Sequence, residues 1–323
     1  METNIKKIAV FTSGGDSPGM NAAIAAIAKE SMAHNIQVEG IMNGYDGMID
    51  GTFINLNAGI VKDIVHKGGT ILKSARCQRF LQPEYRKQAM KQLAANNIDA
   101  IVAVGGDGTF RGLLAFSEIC SLPCIGIPGT IDNDLYGTDY TLGFDTAVNN
   151  AVECIDKIRD TAASHERIFI VEVMGRDAGY IALSTGLSVG AEGILIPETS
   201  ADMDWLMKKI ICRHRKEAMI IVVAEGDEVG ANMLAEKIQK SDKQYDIRVT
   251  VLGHIQRGGH PSAMDRMLGI RLGVFAVKAL LRGEKNKMAG IINNRLQLTP
   301  FEKVVKQHEV DKEMMDLVEL FDS

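Results

Sequence analysis

Three side chains near the middle of the chain, Thr130, Asp132 and Asp134, stand at alternate positions in Gly126-Ile127-Pro128-Gly129-Thr130-Ile131-Asp132-Asn133-Asp134. In a locally extended segment alternate side chains share a face. The hydroxyl and two carboxylates would then line one wall, with Ile131 and Asn133 turned elsewhere. Two carboxylates beside a hydroxyl suit a metal–phosphate site or a general base. The same residues also suit an Asx-type turn, in which Asp and Asn satisfy nearby backbone groups. The apolar run Cys124 to Ile127 reads as the end of a buried strand, and Pro128-Gly129 breaks it.

Two other strand ends have the same character. Ile8 to Phe11 is a short apolar run, hence a buried parallel strand, followed by Thr12-Ser13-Gly14-Gly15-Asp16-Ser17-Pro18-Gly19. Ser17 is expected as N-cap and Pro18 at the first helical position, opening a helix from Met20 to Met32. Such a turn aims backbone N–H groups at an anion above it, or is a tight turn with no ligand. It has neither the Lys-Ser/Thr of a Walker A loop nor a G-x-G-x-x-G fingerprint. Asp99 to Val104 is expected as a strand ending in Gly105-Gly106-Asp107-Gly108-Thr109, with Phe110 to Ile119 continuing as a helix. An Asp among glycines can hold Mg²⁺ while N–H groups hold phosphates, or can simply form a turn. Between these units, Val38 to Met42 reads as a strand, Gly44-Tyr45-Asp46-Gly47 as a loop and Pro83 to Asn96 as a helix. Gly68-Gly69-Thr70 and Ser74-Ala75-Arg76-Cys77-Gln78-Arg79 form a loop whose arginines suit phosphates or solvent. Open α/β sheets bind ligands at the carboxyl ends of their strands. Three such ends carrying Gly, Asp and Thr point to one nucleotide–Mg²⁺ site.

The second half begins a fresh βα series. A helix from Gly143 to Ala163 carries Phe144, Ala147, Val148, Ala151, Val152, Ile155 and Ile158 at helical spacing. Strands follow at Ile168 to Val173, Gly193 to Ile196, Met219 to Ala224 and Asp246 to Leu252. Arg176, Glu225, His254 and Arg257 fall at or just beyond strand ends. Arginines there would clamp a phosphate, and a Glu would accept from hydroxyls, which suits a phosphorylated polyol. Ala263 to Leu281 reads as a helix with Asp265, Arg266 and Arg271 on its polar side. Met288 to Asn293 reads as a last strand and Glu309 to Phe321 as a charged amphipathic helix. The polar stretch from Asp227 to Asp246 carries little signal.

Composition limits the function. A length of 323 residues suits about two domains, and a 46% hydrophobic share supplies their cores. A net charge of −5 argues against a general nucleic-acid binder, which needs a basic surface. The five cysteines, Cys77, Cys120, Cys124, Cys154 and Cys212, form no CxxC pair and read as reduced thiols. No apolar stretch reaches 18 residues, and no signal peptide is recognised. A cytoplasmic protein with no membrane partner is expected.

The motifs together carry a resemblance. Thr12 to Asp16, Gly105 to Thr109, Pro128 to Asp134, Met174-Gly175-Arg176 and Leu252 to Gly259, in this order, make the chain closely similar to bacterial-type ATP-dependent 6-phosphofructokinases over nearly its whole length. The Gly-Asp motif alone is weak, being shared in some form by NAD kinases and lipid kinases; the Thr-Ile-Asp-Asn-Asp motif is far more specific. The resemblance implies two Rossmann-like, three-layer αβα domains of the α/β class with largely parallel sheets and the active site in the cleft between them. Residues 1–142 plus 256–304 would form the ATP/Mg-binding domain, and 143–255 plus 305–323 the fructose 6-phosphate domain. The implied reaction moves the γ-phosphate of MgATP to the 1-hydroxyl of fructose 6-phosphate. Asp132 matches the catalytic base, Arg176 the stabiliser of the phosphoryl group in flight, and Thr130 a hydrogen-bond donor to it. Gly15, Arg76, Cys77, Gly106, Asp107, Gly108 and Thr109 match the ATP site, with Asp107 and Asp134 on the metal side. Thr130, Ile131, Asp132, Met174, Gly175, Arg176, Glu225, His254, Ile255, Gln256 and Arg257 match the sugar-phosphate site. Arg167 and Arg248 match arginines that reach a neighbouring subunit's site, which implies a homotetramer.

Two departures matter. Pyrophosphate-dependent relatives, the alternative reading, place an Asp where this chain has Gly108 and a Lys where it has Gly129, so ATP is favoured. A side chain at 108 would crowd the space for the α-phosphate and nucleoside. At the family's effector site Ala25, Lys29, Ala58, Gly59 and Glu217 replace expected residues, while Arg159, Glu192 and Lys216 remain. Weak response to ADP or phosphoenolpyruvate is therefore expected. Arg79 does not keep the register of the family's second ATP-loop arginine.

Overall fold

The computed structural model describes residues 5–165, 167–199, 203–212, 218–241, 245–307, 310 and 312–321. The chain forms two compact units. One comprises residues 1–131, 135–146 and 257–306, the other residues 132–134, 147–256 and 307–323.

The elements, in chain order, are β1 (Lys7–Ser13), α1 (Met20–Ala33), β2 (Gln37–Ile41), α2 (Gly44–Asp50), β3 (Phe53–Asn55), α3 (Ala58–Val61), α4 (Pro83–Ala95), β4 (Ala100–Gly105), α5 (Asp107–Ser117) and β5 (Cys124–Pro128). Then come α6 (Phe144–His165), β6 (Ile168–Val173), α7 (Tyr180–Val189), β7 (Gly193–Leu195), α8 (Met203–Cys212), β8 (Met219–Ala224), α9 (Gly230–Ser241) and β9 (Ile247–Val251). The chain closes with α10 (Ala263–Leu281), β10 (Lys287–Ile292), β11 (Arg295–Pro300) and α11 (Lys312–Phe321).

The first unit holds a seven-stranded sheet in the order β11-β10-β5-β4-β1-β2-β3, parallel except for the edge strands β3 and β11. Residues of β1 and β4 from Ile8 to Phe11 and Ala100 to Val104 are wholly buried, as continuous apolar runs covered on both faces must be. Alternation divides the two layers. Ile8 and Val10 pack with α1 and α10 through Ile24, Ile27, Leu272 and Ala276. Ala9 and Phe11 face Tyr45, Met48, Phe80, Phe110 and Phe116. Each buried phenylalanine stabilises this layer by roughly 1.5–3 kcal/mol relative to exposure. Helices α1 and α10 meet through glycines. A Cβ on Gly269 would lie 2.8 Å from the Gly19 carbonyl oxygen, and one on Gly273 2.7 Å from that of Ala23. The second unit holds a four-stranded, all-parallel sheet in the order β7-β8-β6-β9. Among the described residues no helix is long and apolar enough to cross a membrane.

The strands expected from apolar runs are present, and several other expectations are corrected. The α1 cap is Gly19, in the left-handed region at φ 96°, and not Ser17, which is buried two residues earlier. Gly44 to Gly47 is not a loop but the start of α2, entered through left-handed Asn43 and Gly44 and anchored by buried Tyr45, Met48 and Ile49. Within 227–246 lies α9, with Ala231, Leu234 and Ile238 buried at helical spacing. Asp227 starts it by accepting the Val229 N–H at 2.9 Å. Asp265 is not on a polar face: it is 1% exposed. Its carboxylate accepts the Gly143 N–H at 2.7 Å and both the N–H and hydroxyl of Thr146, so α10 supplies the anion that caps the start of α6. Burial pushes this carboxyl up from its ordinary value, against the pull of those three donors.

Candidate active site

In the first unit β1 is flanked by β2 on one side and β4 on the other. The direction of winding reverses there, and such a switch point opens a crevice beyond the carboxyl ends of β1 and β4. Both ends carry the glycine turns singled out above. Gly14 has φ 88°. Its carbonyl accepts from the Ser74 hydroxyl at 2.7 Å, and its N–H donates to the Ala75 carbonyl at 3.4 Å. The loop carrying exposed Arg76 and half-buried Cys77 is thereby clipped to the β1 turn. Gly15 lies under Arg257: a Cβ there would be 3.0 Å from the guanidinium, which donates to the Asp16 carbonyl at 3.2 Å.

Beyond β4, Gly106 leads into α5, whose first residue is Asp107. The Thr109 and Phe110 N–H groups donate to the Gly106 carbonyl, at 3.0 and 3.3 Å. The N–H groups of Asp107 and Gly108, at the very start of the helix, have no carbonyl one turn earlier in it to bond, so the turn is a ready anion receptor. The Asp107 carboxylate pairs with Arg111 one turn on, at 2.6 Å, while Arg111 is 74% exposed and unconfined. Thr109 is buried and works inside the fold, its hydroxyl donating to the Ser13 carbonyl at 3.3 Å. The two glycines of the donor question differ in surroundings. A Cβ at Gly108 would meet nothing within 4 Å, whereas one at Gly129 would meet Met20 and Val104, each at 3.0 Å. Gly129 therefore faces packed core: a side chain there would first have to displace the Met20 or Val104 side-chain atoms.

Beyond β5 the expected extended alternation does not form. The chain bends at Ile131 and Asp132. Asn133 takes the left-handed region at φ 52°, which Asn tolerates better than most residues. Thr130 is half-buried with its carbonyl accepting from Thr141 at 2.6 Å, and Ile131 is wholly buried. A Cβ on Gly106 would stand 3.9 Å from that of Thr130, so these two strand ends adjoin. Asp132 and Asp134 belong to the other unit. Asp132 is half-buried, Asp134 is 2% exposed, and the Asp134 carbonyl accepts from the Gln307 N–H at 2.7 Å. The wall of three polar groups thus reduces to Thr130 and Asp132 as partly accessible side chains.

In the second unit β6 is flanked by β8 and β9, and the carboxyl ends of these three parallel strands lie side by side. After β6 come buried Met174, Gly175 at φ 133° and exposed Arg176. Exposed Glu225 follows β8, and exposed His254 and Ile255 follow β9. Gly226 permits the close approach: its Cβ would overlap the Arg176 carbonyl oxygen at 1.8 Å. Gln256 is wholly buried and holds the Gly253–Arg257 turn to β6, accepting the Met174 N–H at 3.4 Å and donating to the Gly253 carbonyl at 3.2 Å. Its side chain is a strut, not a surface contact. Arg257 belongs to the first unit, beside Gly15.

Arg167 and Arg248 are elsewhere. Both bind Asp246, at 2.6 and 3.0 Å, near the amino ends of β6 and β9. The six residues of β6 set this edge about 17 Å from the opposite one. Arg159 donates to the Val189 and Gly190 carbonyls at the end of α7 and lies 3.9 Å from Glu192, which accepts the Ile220 N–H. Ala25 is buried, Ala58 and Gly59 are exposed, and Lys216 and Glu217 lie outside the described residues. The reading of sequence alone missed Tyr45, Asp46, Asp50 and Asp246, because each acts through a partner distant in the chain.

Two doubly wound sheets, each gathering glycine turns and charged side chains at parallel strand ends, define an α/β protein built to receive phosphorylated ligands. The phosphofructokinase family model matches residues 7–280, and the chain belongs to this family. An ATP-dependent 6-phosphofructokinase of Cytophaga hutchinsonii is 50% identical over 321 residues, covering 98% of this chain and 97% of that protein. Among solved structures, phosphofructokinase from Saccharomyces cerevisiae matches with TM-score 0.90 and 30% identity over 98% of this chain, and Pichia pastoris phosphofructokinase in the T-state with 0.85 and 32% over 99%. This chain spans 49% and 37% of those two longer chains.

Proposed function

We propose that this protein transfers the γ-phosphate of ATP to the 1-hydroxyl of fructose 6-phosphate, yielding fructose 1,6-bisphosphate and ADP. The observation that carries this is the pair of glycine turns beyond β1 and β4, with Asp107 opening α5 and open space over Gly108. Full-length similarity to proteins named for this reaction supports it. In this reading the first unit serves the nucleotide: Gly15 and Gly106 to Gly108 meet the phosphates through backbone N–H groups, and Arg76 and Cys77 meet the nucleoside side. Thr109 contributes by holding the turn, its N–H on the Gly106 carbonyl and its hydroxyl on the Ser13 carbonyl of β1.

Mg²⁺ fits this turn. Asp107 is a hard oxygen donor at an anion-receiving helix start, and its partner Arg111 is exposed enough to release it. Among the described residues no group of three or more His, Cys, Asp or Glu could hold a metal, as expected when Mg²⁺ keeps its waters and shares one or two carboxylates with substrate phosphates. Bound there, it would neutralise phosphate charge. Buried Asp134 is the second carboxylate assigned to the metal side.

Asp132 accepts the proton of the sugar 1-hydroxyl as that oxygen attacks phosphorus in line and the bond to the ADP oxygen breaks. Thr130 and Arg176 stabilise the charge on the transferring group, the larger part of catalysis in phosphoryl transfer. Arg176, Glu225 and His254 hold the sugar phosphate, with Gly175 and the Met174 and Ile255 backbones shaping its seat and Gln256 bracing them. Arg257, which donates to the Asp16 carbonyl within the first unit, is the further arginine assigned to the sugar phosphate. Arg167 and Arg248 serve a second copy in a cytoplasmic homotetramer.

The donor is tested at Gly108. A side chain there meets no protein atom, and Asp suits the first turn of a helix, so Gly108→Asp is expected to fold normally. Its carboxylate would oppose the nucleotide phosphates, and like charges in contact cost several kcal/mol. The KM for ATP should rise at least about tenfold, with that for fructose 6-phosphate unchanged; an unchanged ATP KM contradicts the donor assignment.

Regulation is expected to be weak. Arg159 and Glu192 already bind within their own unit, and Ala25, Ala58 and Gly59 bring no charge. Saturation curves for fructose 6-phosphate should coincide with and without millimolar ADP or phosphoenolpyruvate. A pronounced shift with either would overturn this.

A further inference from the structure

Arg79 occupies the first position of a short 3-10 turn, Arg79–Leu81. Four of its five N–H groups are engaged. Nε and Nη2 donate to Asp46 Oδ1 at 2.9 and 2.7 Å, and Nη1 and Nη2 donate to the two Asp50 oxygens at 2.9 and 2.8 Å. Both carboxylates belong to α2, and the contact with Asp50 is the bidentate fork in which Arg pairs best. The same Asp46 oxygen accepts the Cys77 thiol at 3.0 Å.

The neighbour of Asp46 extends this linkage. Tyr45 donates its hydroxyl to the Thr109 carbonyl at 2.6 Å, and its ring stacks on Phe80 with centroids 3.9 Å apart. Gly112 makes room for that hydroxyl, since a Cβ there would lie 2.8 Å from it. One continuous set of contacts therefore runs from Arg79 through Asp46 and Tyr45 to the first turn of α5, two residues from Asp107. The other end of the loop is held by Gly14 through Ser74 and Ala75. Residues 76–78 hang between two clamps, one on the β1 turn and one on α2.

Taking the nucleotide reading above as its basis, we propose that Arg79 is a positioning residue for ATP. It fixes Arg76 and Cys77 at a set distance from the Gly106–Thr109 turn and does not itself touch the nucleotide. With one N–H left, Arg79 has no fork to offer a phosphate. An isolated exposed ion pair contributes little, but here two carboxylates and a bidentate contact order a loop. A loop ordered in advance spares that ordering from the binding free energy. Burial and the Asp46 hydrogen bond together push the Cys77 thiol up to about 11, so it stays a neutral member of the clamp.

Three variants of the full-length enzyme decide the matter, with steady-state kinetics in ATP and in fructose 6-phosphate and a thermal melt for each. Arg79→Met removes the clamp from one side. The double variant Asp46→Asn/Asp50→Asn removes it from the other and leaves Arg79 free. Arg79→Lys keeps the charge without the fork. Arg79→Met and the double variant are both expected to raise the KM for ATP about tenfold, with kcat and the KM for fructose 6-phosphate within about twofold; Arg79→Lys should lie between them and wild type. If the double variant keeps wild-type ATP affinity while Arg79→Met loses it, Arg79 binds the nucleotide directly and the proposal is wrong. ATP affinity unchanged in both also overturns it. Should Arg79→Met fail to fold, the double variant still decides. Wild-type enzyme with no saturable ATP dependence overturns the proposal and the nucleotide reading together, whereas ATP saturation with unaffected variants overturns the proposal alone.

Discussion

Asp132→Asn is expected to lower kcat by about 10²–10⁴, the usual contribution of a positioned general base, while leaving the KM for ATP near its wild-type value. Asn has the same shape, so the bend at Ile131 and Asp132 and the left-handed Asn133 that follow β5 should survive. What disappears is the acceptor for the sugar hydroxyl's proton. The proposed nucleotide contacts, at Gly15 and Gly106 to Thr109, lie at other strand ends and would be untouched. The KM for fructose 6-phosphate should not rise, since the lost negative charge would have repelled the phosphoryl group. A variant keeping more than a tenth of wild-type kcat would remove Asp132 from the role of base.

Arg167→Ser/Arg248→Ser is expected to raise the KM for fructose 6-phosphate by about 10²–10⁴, taking roughly 1.5–3 kcal/mol for each charged hydrogen bond lost. These arginines share Asp246 near the amino ends of β6 and β9, whereas Arg176 and His254 follow the carboxyl ends. At about 3.3 Å per residue along β6, the two sets are anchored at opposite ends of the strands within one chain. In a symmetric assembly each copy would lend its arginines to another. Mixing this variant with Asp132→Asn subunits should then restore activity, because hybrids contain sites with an intact base from one chain and intact arginines from the other. Hybrids verified by differential tagging that show no recovery would refute the shared site.

Much of this was legible in the sequence, for a physical reason. Buried parallel strands are continuous apolar runs, so most of the nine parallel strands could be read directly, the mixed β2 and the half-exposed edge strand β9 less cleanly. The glycine-rich turns after several of them mark where ligands are expected. The unread strands, β3 and β11, are the two antiparallel edges, one of three residues and one half-polar, where neither signal operates. Helix α2 hid behind two glycines and is held by Tyr45, Met48 and Ile49 packing against distant elements. The misread side chains share one cause. Asp265 reads as polar until the Gly143 and Thr146 donors, over a hundred residues away, are seen to surround it. Gln256 reads as a contact until its amide is found bracing Met174. The alternation of Thr130, Asp132 and Asp134 assumed an extended backbone that the bend at Ile131 denies.

The most direct test of the account is a coupled assay of fructose 1,6-bisphosphate formation from fructose 6-phosphate and Mg²⁺, run in parallel with ATP and with pyrophosphate. Product with ATP and none with pyrophosphate is the predicted result. Preference for pyrophosphate would contradict the assignment of the donor from Gly108, and no product with either donor would contradict the kinase reading itself.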